Sequence, residues 1–148
     1  MAGPMNRRLI RLVSASHSFL YRATGGRVGA RMRGAPILLL TTTGRTSGNV
    51  RTTPLMYLAN DGRYVIVASN GGSDRHPGWW LNLRRDPRAT IRIGAKAHKV
   101  RARQADAEEK ARLWPLLTAM YGEYARYQQA TSRAIPVVVL QPDHDAEA

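Results

Sequence analysis

Apolar positions along this chain come in short extended runs broken by glycine-containing turns, with a few helical segments set between them. The run Pro36-Ile37-Leu38-Leu39-Leu40 feeds Thr41-Thr42-Thr43-Gly44-Arg45-Thr46-Ser47-Gly48, and a second extended run leaves it. This pattern predicts strands over about Ile37–Thr43 and Val50–Leu58 joined by a tight turn. Asn60-Asp61-Gly62 is a strong hairpin signal and leads to a strand at about Tyr64–Ser69. A polar, glycine-rich loop covers Asn70 to Pro77. A short helix near Gly78–Arg84 follows and ends at Asp86-Pro87. Two more strands are expected at about Ala89–Ile93 and Ala97–Ala102. Asp106 with Glu109 three residues on reads as a helix start. That helix is expected to reach Trp114, where Pro115 kinks or restarts it, and a second segment spans about Leu116–Ala130. Ile135–Gln141 is a last, β-branched strand, and the tail from Pro142 is acidic. Hairpin strands with helices inserted between them predict an α+β domain built on an antiparallel sheet.

Length and charge narrow the classes. The 148 residues suggest one domain with a core large enough to need no staples. There is no cysteine, which excludes disulfides, thiolate metal sites and cysteine nucleophiles. The four histidines (His17, His76, His98, His144) lack metal-ligand spacing, so no protein-bound metal is expected. The net charge is +13, and residues 1 to 60 hold nine arginines and no acid. Such a balance implies an anionic partner: nucleic acid, an acidic membrane surface or an anionic ligand. No stretch is long and apolar enough to span a bilayer. Met1 to Tyr21 reads as a basic amphipathic helix rather than a signal peptide. It suits an anionic membrane surface, and equally a cap over the domain's own core. The expected layout is residues 1–35 as this helix and a flexible basic linker, 36–141 as the domain, and 142–148 as a frayed tail.

Four groups of residues are candidates for chemistry. The first is the hairpin tip with Arg45, Thr46, Ser47 and Arg51. Glycines allow close backbone approach, and hydroxyls, backbone N–H groups and arginine forks suit phosphate or carboxylate oxygens. The bland alternative is a turn with a solvated arginine. The second is Ala68-Ser69-Asn70-Gly71-Gly72, where the Ser69 hydroxyl serves either a substrate or its own backbone. The third is Trp79 with Asn82: an indole walls a flat heterocycle and an amide pairs with its polar edge, or both belong to the core. The fourth is Tyr121, Tyr124 and Tyr127, whose spacing puts three phenols along one side of a helix. They form a half-buried stripe or a substrate wall.

The Thr-Thr-Thr-Gly-Arg-x-Ser-Gly element at 41–48 resembles the start of the deazaflavin-dependent nitroreductase family, small actinobacterial oxidoreductases that use reduced coenzyme F-420. Asp61–Ser69, Gly71-Gly72, His76-Pro77-Gly78-Trp79-Trp80-Leu81-Asn82-Leu83, Trp114-Pro115, Met120-Tyr121 and Arg133–Val139 follow in that family's order. The resemblance covers about residues 36 to 141. It implies a split β-barrel of the flavin-reductase and pyridoxamine-oxidase type. It implies that the anionic end of the coenzyme lies against Arg45, Thr46, Ser47 and Arg51, and that Thr53, Pro54, Ala68, Asn70, Gly78, Trp79 and Asn82 line its path. The family usually has lysine at the positions of Thr46 and Asn70. It further implies catalytic donors at Tyr124, Tyr121 and Ser69, and an acceptor site lined by Met56, Ser69, Tyr121, Tyr124 and Tyr127. Relatives often carry tyrosine where Met56 stands, which predicts a softer, more apolar acceptor pocket here.

The function so implied is hydride transfer from reduced coenzyme F-420 to a flat, electron-poor acceptor such as a quinone, a nitroaromatic or an activated enone or lactone. The location implied is cytoplasmic, with peripheral attachment to the inner membrane face on the membrane reading of the N-terminus. Competing readings are a split barrel that binds flavin mononucleotide, a coenzyme carrier without turnover, and a basic nucleic-acid-binding protein. No known nucleic-acid motif is present, so nucleic acid is not the expected partner.

Overall fold

A computed structural model describes residues 31–32 and 34–143. Among them, eight strands pair antiparallel: β1 (Arg31–Met32), β2 (Ala35–Thr43), β3 (Val50–Met56), β4 (Leu58–Asn60), β5 (Arg63–Val67), β6 (Arg88–Ile93), β7 (Lys96–Gln104) and β8 (Val137–Pro142). The path through the sheet is β1-β2-β6-β7-β8-β5-β4, and β3 pairs with β2 as well. Only Tyr57 separates β3 from β4, so the two ends of the sheet meet on one chain segment and the sheet curls round as a split barrel. Three helices are added: α1 (Gly78–Arg85), α2 (Ala107–Met120) and α3 (Glu123–Gln129).

Strand pleating sorts the apolar residues into separate layers. On β2, Leu38 and Leu40 join Ile66, Ile91, Val100, Val138 and Leu140 in an inner cluster. Helix α1 adds Trp79, Trp80 and Leu83 to this cluster and so lies against the barrel interior. The alternate residues of β5 and β8, Val65, Val67, Val137 and Val139, face outward under Leu113, Leu117 and Tyr124 from α2 and α3. On the other outer face, Ile37 and Leu39 of β2 pack with Met56 of β3. Strands covered on both sides read as unbroken apolar runs, which is why Ile37–Leu40 and Val137–Leu140 show no alternation.

Several boundaries differ from the sequence expectation. The expected strand Val50–Leu58 breaks at Tyr57, whose N–H turns to Pro36 O at 3.1 Å and whose ring meets Tyr64 edge-on. This is the bend that lets one segment close the barrel. Helix α2 passes through Pro115 without interruption, and the break falls at Tyr121-Gly122 instead. Thr118 Oγ1 donates to Trp114 O and Pro115 O in the turn that follows the proline. Tyr121 is extended, with φ −146° and ψ 99°, so the three tyrosines do not stand along one continuous helix. Strand β1 falls inside the expected linker, and the expected strand at Tyr64–Ser69 ends at Val67. Pro142 belongs to β8, and the Asp143 N–H donates to Lys99 O, so the tail departs later than expected. The proposed N-terminal helix at Met1–Tyr21 and residues 144–148 lie outside the described residues.

Candidate functional site

The tip between β2 and β3 is a closed turn: Gly44 N–H donates to Asn49 O at 2.7 Å, and Gly48 N–H to Gly44 O at 2.9 Å. A Cβ on Gly44 would stand 2.8 Å from Asn49 O, so the turn excludes any side chain there. The Ser47 hydroxyl oxygen accepts from Asn49 N–H at 3.1 Å, which leaves its proton free to donate. Thr46 and Arg51 are exposed.

Asn82 fastens this tip to α1. Its Oδ1 accepts from Arg45 N–H at 3.2 Å and from Arg45 Nη1 at 2.9 Å, while its Nδ2 donates to Thr42 Oγ1 at 3.1 Å. Arg45 Nη1 also reaches Gly78 O. The amide is 4% exposed, so these bonds form where water does not compete. Asn82 is thus engaged with Arg45 and Thr42, and Trp79 packs in the inner cluster. Thr53 lies directly across from Leu40 on the inner face, and Pro54 is half-buried beside it.

Beside the tip opens a cleft of about 420 Å³ lined by Thr43, Gly44, Arg45, Gly48, Arg85, Asp86 and Arg88. Asp86 is forked by Arg88, with Nε–Oδ1 at 3.1 Å and Nη2–Oδ2 at 3.2 Å, and these bonds hold its carboxyl below the usual range. Arg85 has no ion pair among the described residues. Three guanidinium groups against one carboxylate fit a ligand with an anionic end. The sequence reading missed Arg85 and Arg88. They arrive from the end of α1 and the start of β6, and the one available signal was the basic run Arg84-Arg85-Asp86-Pro87-Arg88.

The tyrosines meet across the helix break. Tyr121 and Tyr124 rings are 5.0 Å apart at 84°, and Tyr121 and Tyr127 share a hydrogen bond between hydroxyls at 3.0 Å. Tyr124 is 5% exposed. Burial raises its phenol pKa above the ordinary value, and the neighbouring Tyr121 and Tyr127 add to the shift. The group therefore keeps its proton up to strongly alkaline pH. The loop after β5 lies against α3: at Gly72, with φ +83°, a Cβ would come within 3.2 Å of Tyr127 Cα and Ala130 Cβ. The same loop carries Ser69, which is 8% exposed. Its hydroxyl makes no hydrogen bond among the described residues, so it is not spent on its own backbone. Asn70 adopts φ +48°, a left-handed conformation that asparagine tolerates better than lysine does. Ala68 is fully buried. Met56 packs with Ile37 and Leu39 on the outer face of β2 and β3, in a different cluster from the tyrosines.

Arg133, which opens the Arg133–Val139 part of the resemblance, is a further residue with many partners. Its guanidinium donates to Ser73 O at 2.9 Å, Ser69 O at 2.9 Å and Ala68 O at 3.2 Å, and Nη1 lies 3.1 Å from His76 Nδ1. No group of three or more His, Cys, Asp or Glu among the described residues is arranged to hold a metal ion.

A family model described as F420H(2)-dependent quinone reductase matches residues 13–142. The F420H(2)-dependent quinone reductase of Mycobacterium tuberculosis is 44% identical over 128 residues, covering 84% of this chain and 86% of the relative. Among solved structures, an F420-H2 dependent reductase is 40% identical with a TM-score of 0.66, covering 72% of this chain and 94% of that one. A heme storage protein of Vibrio cholerae, 17% identical with a TM-score of 0.57 over 73% of this chain and 82% of its own, shares the fold alone. With the family model running from before β1 to the end of β8, and a relative so similar along most of both chains, this chain belongs to the F420H(2)-dependent quinone reductase family.

Proposed function

We infer that the protein is an oxidoreductase that reduces a quinone with reduced coenzyme F-420. Family membership supplies the reaction class. The observation in the fold that carries it is the arginine-lined cleft beside a hairpin tip locked to α1. Arg45, Thr46, Ser47 and Arg51 take the anionic end of the coenzyme, with Arg85 and Arg88 extending the same basic surface. Those two arginines supply positive charge that Thr46 and Asn70, standing where relatives carry lysine, do not. Thr53, Pro54, Ala68, Asn70, Gly78 and Trp79 border the path towards the ring, and Asn82 holds the tip in place.

Bound there, the reduced coenzyme supplies a hydride. The protein's part is to hold the acceptor, exclude water and donate hydrogen bonds to the oxygen that gains charge. Tyr124, Tyr121 and Ser69 fill that role, and Tyr127 fixes Tyr121 through the hydroxyl pair. Tyr124 enters each turnover protonated, because burial disfavours its anion. Met56, which the resemblance assigns to the acceptor, packs with Ile37 and Leu39 apart from the tyrosines, so the acceptor contacts fall to the tyrosines and Ser69.

The test is a fluorescence titration of the protein with oxidised coenzyme F-420 beside flavin mononucleotide, followed by quinone reduction with the reduced coenzyme. Salt-sensitive binding of the deazaflavin with turnover supports the assignment. Preference for flavin mononucleotide moves the protein to the flavin-binding branch of the fold. Steep salt dependence with oligonucleotides alone would point to nucleic acid. We further propose that the enzyme is cytoplasmic and that the basic, apolar segment Met1–Tyr21 holds it at the inner face of the cell membrane, where lipid quinones reside. Liposome sedimentation with and without residues 1–22 tests this; equal sedimentation of both forms removes the membrane role.

A further inference from the structure

The loop from Ala68 to Gly78 joins the two halves of the site: Ser69 stands at its start and α1, with Asn82, at its end. Few regular backbone bonds hold it. Gly72 N–H donates to Ser69 O and Ser73 N–H to Asn70 O, both within one turn. From outside, Pro136 O takes the Ala68 N–H at 2.9 Å and Thr131 Oγ1 donates to Asp74, but the residue that reaches furthest into the loop is Arg133, on the segment between α3 and β8. One guanidinium gathers the carbonyls of Ala68, Ser69 and Ser73 and the ring nitrogen of His76. No carboxylate pairs with it by hydrogen bond; Asp74 is turned away to Thr131 Oγ1 at 2.7 Å. Arg133 is itself anchored. Gln128 of α3 donates to Arg133 O at 2.8 Å and accepts from Ile135 N–H at 2.9 Å.

A charged fork spent entirely on backbone carbonyls and an imidazole sets geometry rather than binding an anion. We propose that Arg133 is the positioning residue of the reductase site: it fixes the Ala68–His76 loop so that the Ser69 hydroxyl faces the acceptor, and His76 is the protonation-sensitive arm of that clamp. The inference rests on the assignment of Ser69 to the acceptor side. His76 Nδ1 accepts from Arg133 Nη1 only while it carries no proton. Burial, then Arg133, then Arg84 of α1 keep the imidazole's pKa below its ordinary 6.5. Acidification through that lowered pKa therefore puts a second cation against Arg133 and removes one bond of the clamp. The charged groups that act on His76 are Arg133 and Arg84.

The experiment compares wild type, Arg133→Lys, Arg133→Met and His76→Asn by steady-state quinone reduction, coenzyme titration and amide hydrogen exchange. Arg133→Met is expected to lower kcat roughly 10- to 100-fold, the equivalent of one lost hydrogen bond to a charged group. The Kd for oxidised coenzyme F-420 should rise far less than kcat falls, because the arginine does not line the basic cleft and the clamped loop meets the coenzyme path only through Ala68 and Asn70. Arg133→Lys restores part of kcat. Exchange in 68–76 quickens in both Arg133 variants while 137–142 keeps its protection. His76→Asn, whose amide oxygen accepts the same bond but does not titrate, flattens the acid limb of kcat. Unchanged exchange in 68–76, or parallel losses in kcat and coenzyme affinity, would overturn the clamp. If Arg133→Met does not fold, Arg133→Lys and His76→Asn carry the test. A wild type that binds no deazaflavin sinks the reductase reading instead, and the exchange comparison still decides the clamp.

Discussion

The two ends of the site are built from opposite materials. At the hairpin tip, exposed arginines stand around an open cleft, and the buried pair Asn82 and Thr42 holds the tip down. At the tyrosine wall, phenols are stacked against one another beneath the helix break, and Tyr124 is shut away from water. Exposed charges are screened and give modest, salt-dependent attraction that adds up over several groups. Buried hydroxyls give few interactions, but each acts in a low dielectric with its orientation already set. On the proposed function the tip serves affinity and the wall chemistry, and substitutions at the two ends should separate in their effects.

Tyr124→Phe should produce the largest loss. Turnover is expected to fall about 100-fold, as for removal of one oriented donor, with little change in coenzyme Kd. Equal losses in both would break the division between the two ends. The same phenol gives the protein an alkaline limit. Its folded pKa is raised, so stability is fully present below the unfolded value of about 10 and is lost as pH rises beyond it, where the unfolded chain ionises first. Urea midpoints of the wild type should therefore drop above that pH, and Tyr124→Phe should flatten the slope.

Asn82→Ala comes next, because it removes the buried tie that holds the hairpin tip to α1. It strips Arg45 of its tie and leaves the Thr42 hydroxyl without its donor. The expected destabilisation is about 1–3 kcal/mol, read from denaturant unfolding, together with weaker coenzyme binding. A variant that keeps its stability and loses only turnover would instead mean that the amide acts on the ring. Arg85→Gln should be the mildest: a rise in Kd of up to about fivefold, a shallower salt dependence and unchanged kcat. A large kcat effect there would show that the cleft shapes the acceptor site as well.

Much of this was legible in the chain. The hairpins at Gly44–Gly48 and Asp61-Gly62, the short helix carrying Trp79 and Trp80, and the Asp106 cap, whose Oδ1 accepts from Glu109 N–H at 2.8 Å, are all local features. They are encoded within a few residues, so pattern and turn chemistry find them. The helix boundary was misplaced because Pro115 is a strong local breaker, yet packing of Leu113 and Leu117 on the outer face of β5 and β8 carries the helix past it. That packing involves residues more than twenty positions away and leaves no mark near the proline.

The sequence by itself determined the antiparallel α+β character, the basic surface, the absence of thiol chemistry and, through the order of its motifs, the coenzyme class. Tertiary structure alone decided that Asn82 turns to Arg45, that Arg85 and Arg88 join the hairpin tip, and that Arg133 grips the Ser69 loop from 57 to 65 positions away. The physical reason is the range of the interactions. Turns and caps are short-range and readable along the chain. A guanidinium finds carbonyls wherever the closed barrel brings them, and that placement follows from the single bend at Tyr57 that returns the sheet to its starting segment.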